Sequence, residues 1–113
     1  MTDVVENDGA LSLTVARDRA SARVTAVGEV DIHTCSQLET VLLQLADDGV
    51  STVTLDLADV AFIDSSGLRA LVVGHKALEG QGGSLIVANP STMAARLLEV
   101  TGLNTLFGGD HGS

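Results

Sequence analysis

Alternating apolar and polar residues mark the first ordered part of the chain. In the segment ALSLTVARD (residues 10–18) apolar side chains occupy every second position, and SARVTAVGEV (residues 21–30) repeats this pattern. A period of two places these side chains on one face of a strand. We therefore predict two half-buried antiparallel strands, joined by a short turn at residues 19–21.

The spacing changes to that of a helix in the segment HTCSQLETVLLQLADDG, residues 33–49. Its apolar residues share one helical face: Cys35, Leu38, Val41, Leu42 and Leu45. Thr34, followed three residues later by Gln37, predicts a capping box at the start of this helix. Gly49 predicts its end.

The next two elements are a strand and a second helix. STVTLDL (residues 51–57) is rich in β-branched residues and predicts a buried strand, followed by a loop through Asp59. Apolar residues at helical spacing then predict a helix that begins near Ser65 and ends at GQGG, residues 80–83.

The last third of the chain predicts three elements. SLIVAN (residues 84–89) is a short apolar strand. Asn89 followed by Pro90 predicts the N-cap and first residue of a third helix, whose apolar stripe ends at Gly102. LNTLF (residues 103–107) predicts a final edge strand.

The order of these elements predicts the fold class. Two antiparallel strands followed by alternating helix and strand favour a single α/β domain with a mixed sheet of four to five strands and about three to four helices, packed mainly on one face. The domain is expected to span residues 10–107, between a disordered acidic tail (1–9) and a flexible glycine-rich tail (108–113). Binding sites in such folds gather at the carboxyl ends of the strands, where Ser65 is expected.

Composition narrows the possible functions. The chain of 113 residues is 45% hydrophobic, but Phe62 and Phe107 are its only aromatic residues and offer little surface for stacking nucleic-acid bases. A formal charge of -9 disfavours nucleic acid and anionic membrane surfaces as partners. Cys35 is the only cysteine, so no internal disulfide forms, and no leader or membrane-spanning pattern occurs. We expect a cytoplasmic protein without a cofactor or metal ion.

The segment AFIDSSGLRAL (residues 61–71) carries the candidate chemistry, because it places an acid, two hydroxyls and a glycine at a helix start. Asp64 or Ser65 can cap that helix by accepting a hydrogen bond from a free backbone N–H. One cap needs only one polar residue, however. Gly67 weakens the first turn relative to alanine and lets another molecule approach the backbone. The segment therefore has more polar groups than capping requires.

An enzymatic interpretation of this serine lacks its other parts. A nucleophile elbow requires a glycine two residues before the serine, where Ile63 stands, and it requires a histidine base. His33 precedes a helix, His75 lies on an apolar helical stripe, and His111 belongs to the glycine-rich tail. These positions disfavour a hydrolase, and we expect a protein that is not an enzyme.

Phosphate chemistry leaves one interpretation. No GxxxxGK[ST] or GxGxxG loop occurs and Lys76 is the only lysine, which excludes a P-loop. Asp56 ends a predicted strand as a phospho-accepting aspartate would, but the acidic pair for Mg²⁺ and the late lysine of a receiver are missing. A phosphate on Ser65 would meet the positive end of a helix, and its charge of about -2 would disrupt a contact made through the loop.

Three segments in the same order resemble the STAS-domain anti-sigma factor antagonists of bacteria. They are GEVD (residues 28–31), VTLDLADVAFIDSSGLRAL (residues 53–71) and NPSTMAARLLEVTGL (residues 89–103). The resemblance extends from about residue 10 to residue 107, and DSSGL after an apolar strand is its most specific part. Arg69 departs from the small or apolar residue expected at its position.

The resemblance implies a STAS-like domain and a phosphoprotein that acts by partner switching in transcription regulation. The unphosphorylated form would bind an anti-sigma factor that is also a serine kinase, and this would release the sigma factor. Phosphorylation of Ser65 would block the binding, and a PP2C-type phosphatase would reset it. The residues implied in partner binding are Asp31, Asp64, Ser65, Ser66, Gly67 and Arg69. The alternative is a STAS subunit of a membrane lipid transport complex, which docks on an ATPase without phosphorylation.

Overall fold

A computed structural model describes residues 2–7 and 9–107, which form five strands, three α-helices and a short 3₁₀ helix. The strands are β1 (Thr2–Asn7), β2 (Leu11–Asp18), β3 (Ser21–Val30), β4 (Thr52–Ile63) and β5 (Ser84–Ala88). The helices are α1 (Cys35–Asp47), α2 (Ser65–Glu79) and α3 (Thr92–Thr101), and the 3₁₀ helix is Leu103–Thr105.

The five strands form one mixed sheet in the order β1-β2-β3-β4-β5. β1, β2 and β3 are antiparallel neighbours, as expected of strands joined by tight turns. β3, β4 and β5 are parallel, and α1 and α2 form the two crossover connections. The predicted fold class, an α/β domain with a mixed sheet, is confirmed.

One face of the sheet carries the core. Val15, Val24 and Leu55 are register neighbours on β2, β3 and β4, and all three are buried. The residues between them in sequence point to the opposite, half-buried face, as the alternating pattern predicted. The helices cover the first face and add their own leucines to the same core: Leu38, Leu42, Leu71, Leu78 and Leu98.

β4 is longer than the sequence pattern predicts. It continues to Ile63 through the region of Asp59, where a loop was expected. The register against β3 shifts at two places, and at each of them β4 carries one more residue than its partner. The buried residues Leu57, Val60 and Ile63 are therefore three positions apart instead of two, so the strand lacks the expected period.

Two predicted helix caps are replaced by other contacts. The capping box of Thr34 and Gln37 was predicted wrongly, because Thr34 makes no side-chain cap hydrogen bond in α1. At the third helix the N-cap is Ser91, whose hydroxyl accepts a hydrogen bond from Ala94 N at 3.3 Å, and not Asn89. Asn89 adopts the left-handed conformation with φ 47°, which asparagine tolerates better than most residues.

The end of the domain also differs from the prediction. LNTLF forms the 3₁₀ helix and a turn, where an edge strand was expected. Phe107 is buried with 2% exposure and packs edge-on against His75, with 5.8 Å between ring centres. Burial of this large aromatic side chain stabilises the compact turn, whereas an edge strand would leave every second side chain outside the core.

The amino-terminal tail predicted as disordered contains β1. Thr2–Asn7 pair with β2 through the backbone, and such pairing does not depend on apolar side chains. The sequence signal for such a hairpin was the dipeptide Asp8–Gly9, because Asp-Gly favours tight hairpin turns. The predicted flexible tail at residues 108–113 lies outside the described residues and stays a prediction.

Candidate functional site

The carboxyl ends of β3 and β4 lie side by side and bring two loops together. Val30 and Ile63 are paired in the parallel ladder, and Asp64 N donates a hydrogen bond to Val30 O at 3.3 Å. Asp31 and Asp64 are the next residues on the two strands. Asp31, which begins the loop after β3, and Ser65, which begins α2 directly after Asp64, therefore lie at the same end of the sheet.

Asp64 caps α2. Its backbone is extended, and its carboxylate accepts hydrogen bonds from Ser66 N at 2.9 Å and Gly67 N at 3.2 Å. Two of the N–H groups that a helix start leaves free are satisfied in this way. The question of whether Asp64 or Ser65 is the cap is settled in favour of Asp64, so neither serine is needed for capping.

Ser65 is the first residue of α2, and its side chain is exposed. Its hydroxyl makes no hydrogen bond within residues 2–7 and 9–107. Ser66 is half-buried, so Ser65 presents the more accessible hydroxyl of the pair. Negative charge placed on this oxygen would lie at the positive end of the helix dipole, which tolerates an anion.

Gly67 allows α2 to approach β3 closely. A β-carbon at this position would lie 2.8 Å from Val30 O, a distance that real side chains essentially never show. Gly74 does the same for the contact between α2 and α1, because a β-carbon there would lie 2.5 Å from Leu42 Cδ1. The position of Ser65 at the start of α2 therefore depends on two glycines that let this helix pack closely.

Asp31 organises the loop after β3. Its carboxylate accepts hydrogen bonds from His33 N at 2.8 Å and Thr34 N at 3.1 Å, and these bonds lower the pKa of Asp31 below its usual value. The Thr34 hydroxyl donates to Glu29 O at 2.7 Å and accepts from Asp31 N at 2.9 Å. The hydrogen bonds of the Asp31 carboxylate thus stay within its own loop.

Two exposed apolar residues flank the site and were not predicted. Ile32, directly after Asp31, is 70% exposed, and Phe62, near the end of β4, is 38% exposed. Phe62 is the register partner of Glu29 on β3, so both side chains lie near the same sheet edge. The only sequence signal for an apolar part of the site was Phe62 itself, because aromatic residues are rare in this chain and this one stands three residues before Ser65.

Arg69 is exposed and lies four residues after Ser65 in α2. This spacing places the two side chains on the same helical face, one turn apart. The guanidinium of Arg69 makes no ion pair with any residue in the ranges 2–7 and 9–107. A free cation therefore lies next to the exposed hydroxyl.

Neither His33 nor His75, the two histidines that the structure describes, makes a hydrogen bond with Ser65. His75 follows ten residues later in α2, about 15 Å along the helix axis. It is buried against Phe107, as the apolar stripe indicated, and His111 lies outside the described residues.

Within residues 2–7 and 9–107 no cluster of three or more His, Cys, Asp or Glu could hold a metal ion. No helix among them has the length and apolar character needed to cross a membrane.

Asp56, considered above as a phospho-acceptor, has a structural role. It lies within β4, where its carboxylate pairs with Arg23 at 2.7 Å and accepts hydrogen bonds from Ala58 N at 2.9 Å and Asn89 Nδ2 at 3.4 Å. Partial burial raises the pKa of Asp56, but these partners outweigh the burial and lower the pKa below its usual value. The carboxylate links β3, β4 and the end of β5.

Comparison with known proteins places this arrangement in a family. The family model described as Mlab, STAS domain, matches residues 13–108, so the fold is that of a STAS domain. The chain is 32% identical over 97 residues to an anti-sigma-B factor antagonist of Bacillus subtilis, an alignment that covers 86% of this chain and 88% of the relative. The chain belongs to the STAS-domain family of anti-sigma factor antagonists.

Solved structures show the same fold. An anti-sigma factor antagonist from Mycobacterium paratuberculosis superposes with a TM-score of 0.76 at 24% identity, covering 95% of this chain and 91% of that chain. The anti-sigma factor antagonist SpoIIAA in its unphosphorylated form gives a TM-score of 0.75 at 23% identity, covering 82% of this chain and 83% of that chain. Its phosphorylated form gives a TM-score of 0.69, covering 82% and 86%.

Proposed function

We propose that this protein is an anti-sigma factor antagonist controlled by phosphorylation of Ser65. The unphosphorylated form binds an anti-sigma factor that is also a serine kinase, and this frees the sigma factor. Phosphorylation of Ser65 by that kinase ends the binding. The observation that carries the proposal is the exposed Ser65 hydroxyl at the start of α2, beside an aspartate that already caps the helix. Relatives named as antagonists, and SpoIIAA solved in a phosphorylated form, support it.

The proposed docking surface consists of the residues around Ser65 on the two adjacent loops and the first turns of α2. They are Asp31, Ile32, Phe62, Asp64, Ser65, Ser66, Gly67 and Arg69. Ile32 and Phe62 contribute apolar area that a partner can remove from water, and exposed apolar groups next to a polar rim are typical of binding surfaces. The carboxylates of Asp31 and Asp64 favour a partner surface that is at least partly cationic.

The switch requires that phosphate weakens binding to one partner selectively. A phosphate brings a charge of about -2 and three acceptor oxygens into the centre of this surface. If desolvation and repulsion there cost about 4 kcal/mol, the affinity falls roughly a thousandfold, since each 1.4 kcal/mol is tenfold. Because the Ser65 hydroxyl bonds to nothing in the described chain, its modification breaks no intramolecular hydrogen bond there.

The rest of the cycle follows from this role. The protein catalyses no reaction itself and needs no cofactor, because the kinase supplies ATP and Mg²⁺. A PP2C-type phosphatase removes the phosphate and restores the binding form. The cycle takes place in the cytoplasm, where the sigma factor meets RNA polymerase, and it requires neither nucleic acid nor a membrane as a direct partner of this chain.

The test is phosphorylation by the cognate anti-sigma factor kinase with ATP, followed by intact-mass measurement and a binding assay. The wild-type protein should gain one phosphate and lose the kinase as a partner, and Ser66→Ala, the matched control, should do the same. Ser65→Ala should gain no phosphate and stay bound, because it lacks the acceptor but keeps the Asp64 cap. Ser65→Asp should bind poorly.

Other outcomes reject the proposal in distinct ways. If Ser65→Ala still accepts phosphate and Ser66→Ala does not, the acceptor is Ser66. If the phosphorylated wild-type protein binds the kinase as tightly as before, phosphorylation is not the switch. A protein that neither gains phosphate nor changes partner fits the lipid-transport subunit instead.

A further inference from the structure

Arg69 lacks a charged neighbour on its own helix. The residues one turn before it are Ser65 and Ser66, and those one turn after it are Val72 and Val73. Side chains three and four positions apart are the ones that meet on a helix surface. The surroundings of Arg69 along α2 thus contain two hydroxyls and no carboxylate.

Two of the other four arginines form ion pairs within the described residues, whereas Arg19, Arg96 and Arg69 form none. Arg17 pairs with Asp48, and Arg23 pairs with Asp56, each at 2.7 Å. The nearest acid in sequence to Arg69 is Asp64, and its carboxylate accepts hydrogen bonds from the backbone of Ser66 and Gly67. An exposed guanidinium without an anion thus stands one turn from the proposed acceptor.

We propose that Arg69 is the intramolecular counter-ion of a phosphate on Ser65, an inference that rests on the proposed function of that serine. The order is the favourable one, with the anion nearer the helix start and the cation four residues later. The planar guanidinium donates several N–H groups in a fork that matches phosphate oxygens. Phosphorylation then converts an exposed cation of the docking surface into an ion pair.

The pairing predicts a measurable change in the titration of the phosphate itself. A nearby cation favours the doubly charged phosphate, so the second phosphate pKa, about 6 when unperturbed, is lowered in the wild-type protein. Loss of one pair between residues i and i+4 should raise this pKa by about 0.2 to 0.4. Because both groups are exposed, the difference should shrink at about 1 M salt.

The experiment uses full-length protein with phosphoserine incorporated at position 65 during translation, so that no kinase is needed. ³¹P NMR titration at low salt measures the second phosphate pKa in the wild-type protein, in Arg69→Gln and in Lys76→Gln. Lys76 is the matched control, because it is an exposed cation on α2 about 10 Å further along the axis. Arg69→Gln should raise the phosphate pKa, and Lys76→Gln should leave it within about 0.1 of wild type.

Equal phosphate pKa values in the wild-type protein and Arg69→Gln overturn the counter-ion assignment. An equally large change in Lys76→Gln also overturns it, because the effect would then reflect net charge alone. Neither result bears on whether a kinase modifies Ser65. Conversely, a kinase that never modifies Ser65 overturns the proposed function and leaves this measurement intact.

Discussion

Replacing Gly67 by alanine tests whether direct contact between α2 and β3 fixes the position of Ser65 at the start of α2. A β-carbon at this position would lie 2.7 Å from Ile63 Cγ1, 2.8 Å from Val30 O and 2.9 Å from Val30 Cγ1. The oxygen belongs to the backbone of a central strand and cannot rotate away, so α2 must move. Alanine stabilises a helix by about 1 kcal/mol relative to glycine, but overpacking costs about 1–3 kcal/mol.

We expect the cost in Gly67→Ala to be near the upper end of that range, because one of the atoms in contact is backbone. The net loss in the free energy of unfolding is then about 2 kcal/mol. In a domain of this size each 1 kcal/mol lowers the melting temperature by roughly 4–8 °C. Urea unfolding followed by circular dichroism measures the change, with the midpoint lowered and the slope m unchanged.

Gly80→Ala at the other end of α2 is the matched control. Gly80 has helical backbone angles, φ -62° and ψ -18°, and a β-carbon there would lie 3.4 Å from the nearest atom, Lys76 O. This substitution should stabilise the protein by about 0.4–1 kcal/mol, since it only restricts the unfolded chain. If Gly67→Ala raises the urea midpoint as Gly80→Ala does, the inference that α2 lies too close to β3 for a β-carbon at position 67 is wrong.

Two further predictions concern the core and the acid stability of the fold. Leu71→Asp should abolish the cooperative unfolding transition, because Leu71 is 0% exposed and the substitution buries a charge; a transition with the wild-type midpoint would contradict this. The folded-state pKa of Asp56 lies below its unfolded value, so its contribution to stability is present above about pH 4 and is lost as the pH falls through the folded pKa. Asp56→Asn should therefore weaken the dependence of unfolding free energy on pH between about pH 5 and 2. An unchanged slope would contradict the lowered pKa of Asp56.

The elements with a regular local period were predictable from the sequence. β2 and β3 alternate over most of their length, and the apolar stripes of α1 and α2 repeat at helical spacing. Gly102 ends α3 in the left-handed conformation, with φ 78°, as its position after the last apolar residue predicted. In each case the determining interactions lie within a few residues of one another.

The wrong predictions of secondary structure and caps arise where contacts with other parts of the chain override the local preference of the sequence. The two register shifts in β4 exist only against β3, so a single segment carries no sign of them beyond an irregular apolar spacing. Thr34 is a residue type that often caps helices, but its hydroxyl donates its hydrogen bond to the carbonyl of Glu29, five residues earlier. β1 has a polar sequence, and its ladder with β2 consists of backbone bonds that sequence periodicity does not report.

The candidate site was predictable in its polar residues and not in its apolar ones. Asp64 and Ser65 are recognisable because the chemistry of a helix start is local. The exposure of Ile32 and Phe62 depends on where the two strand ends lie in the folded domain, and the sequence alone favours burial of both residues. The acceptor role of Ser65 stays a prediction that the kinase experiment decides.

The two glycines of α2 have a consequence for signalling. Gly67 lets the helix pack closely against β3, and Gly74 lets it pack closely against α1, so α2 is held by close contacts at two points along its length. The proposed phosphate on Ser65 would change the surface that a partner contacts, while the packing of α2 beneath it would stay the same. We therefore expect that repeated addition and removal of this phosphate would require no refolding of the domain.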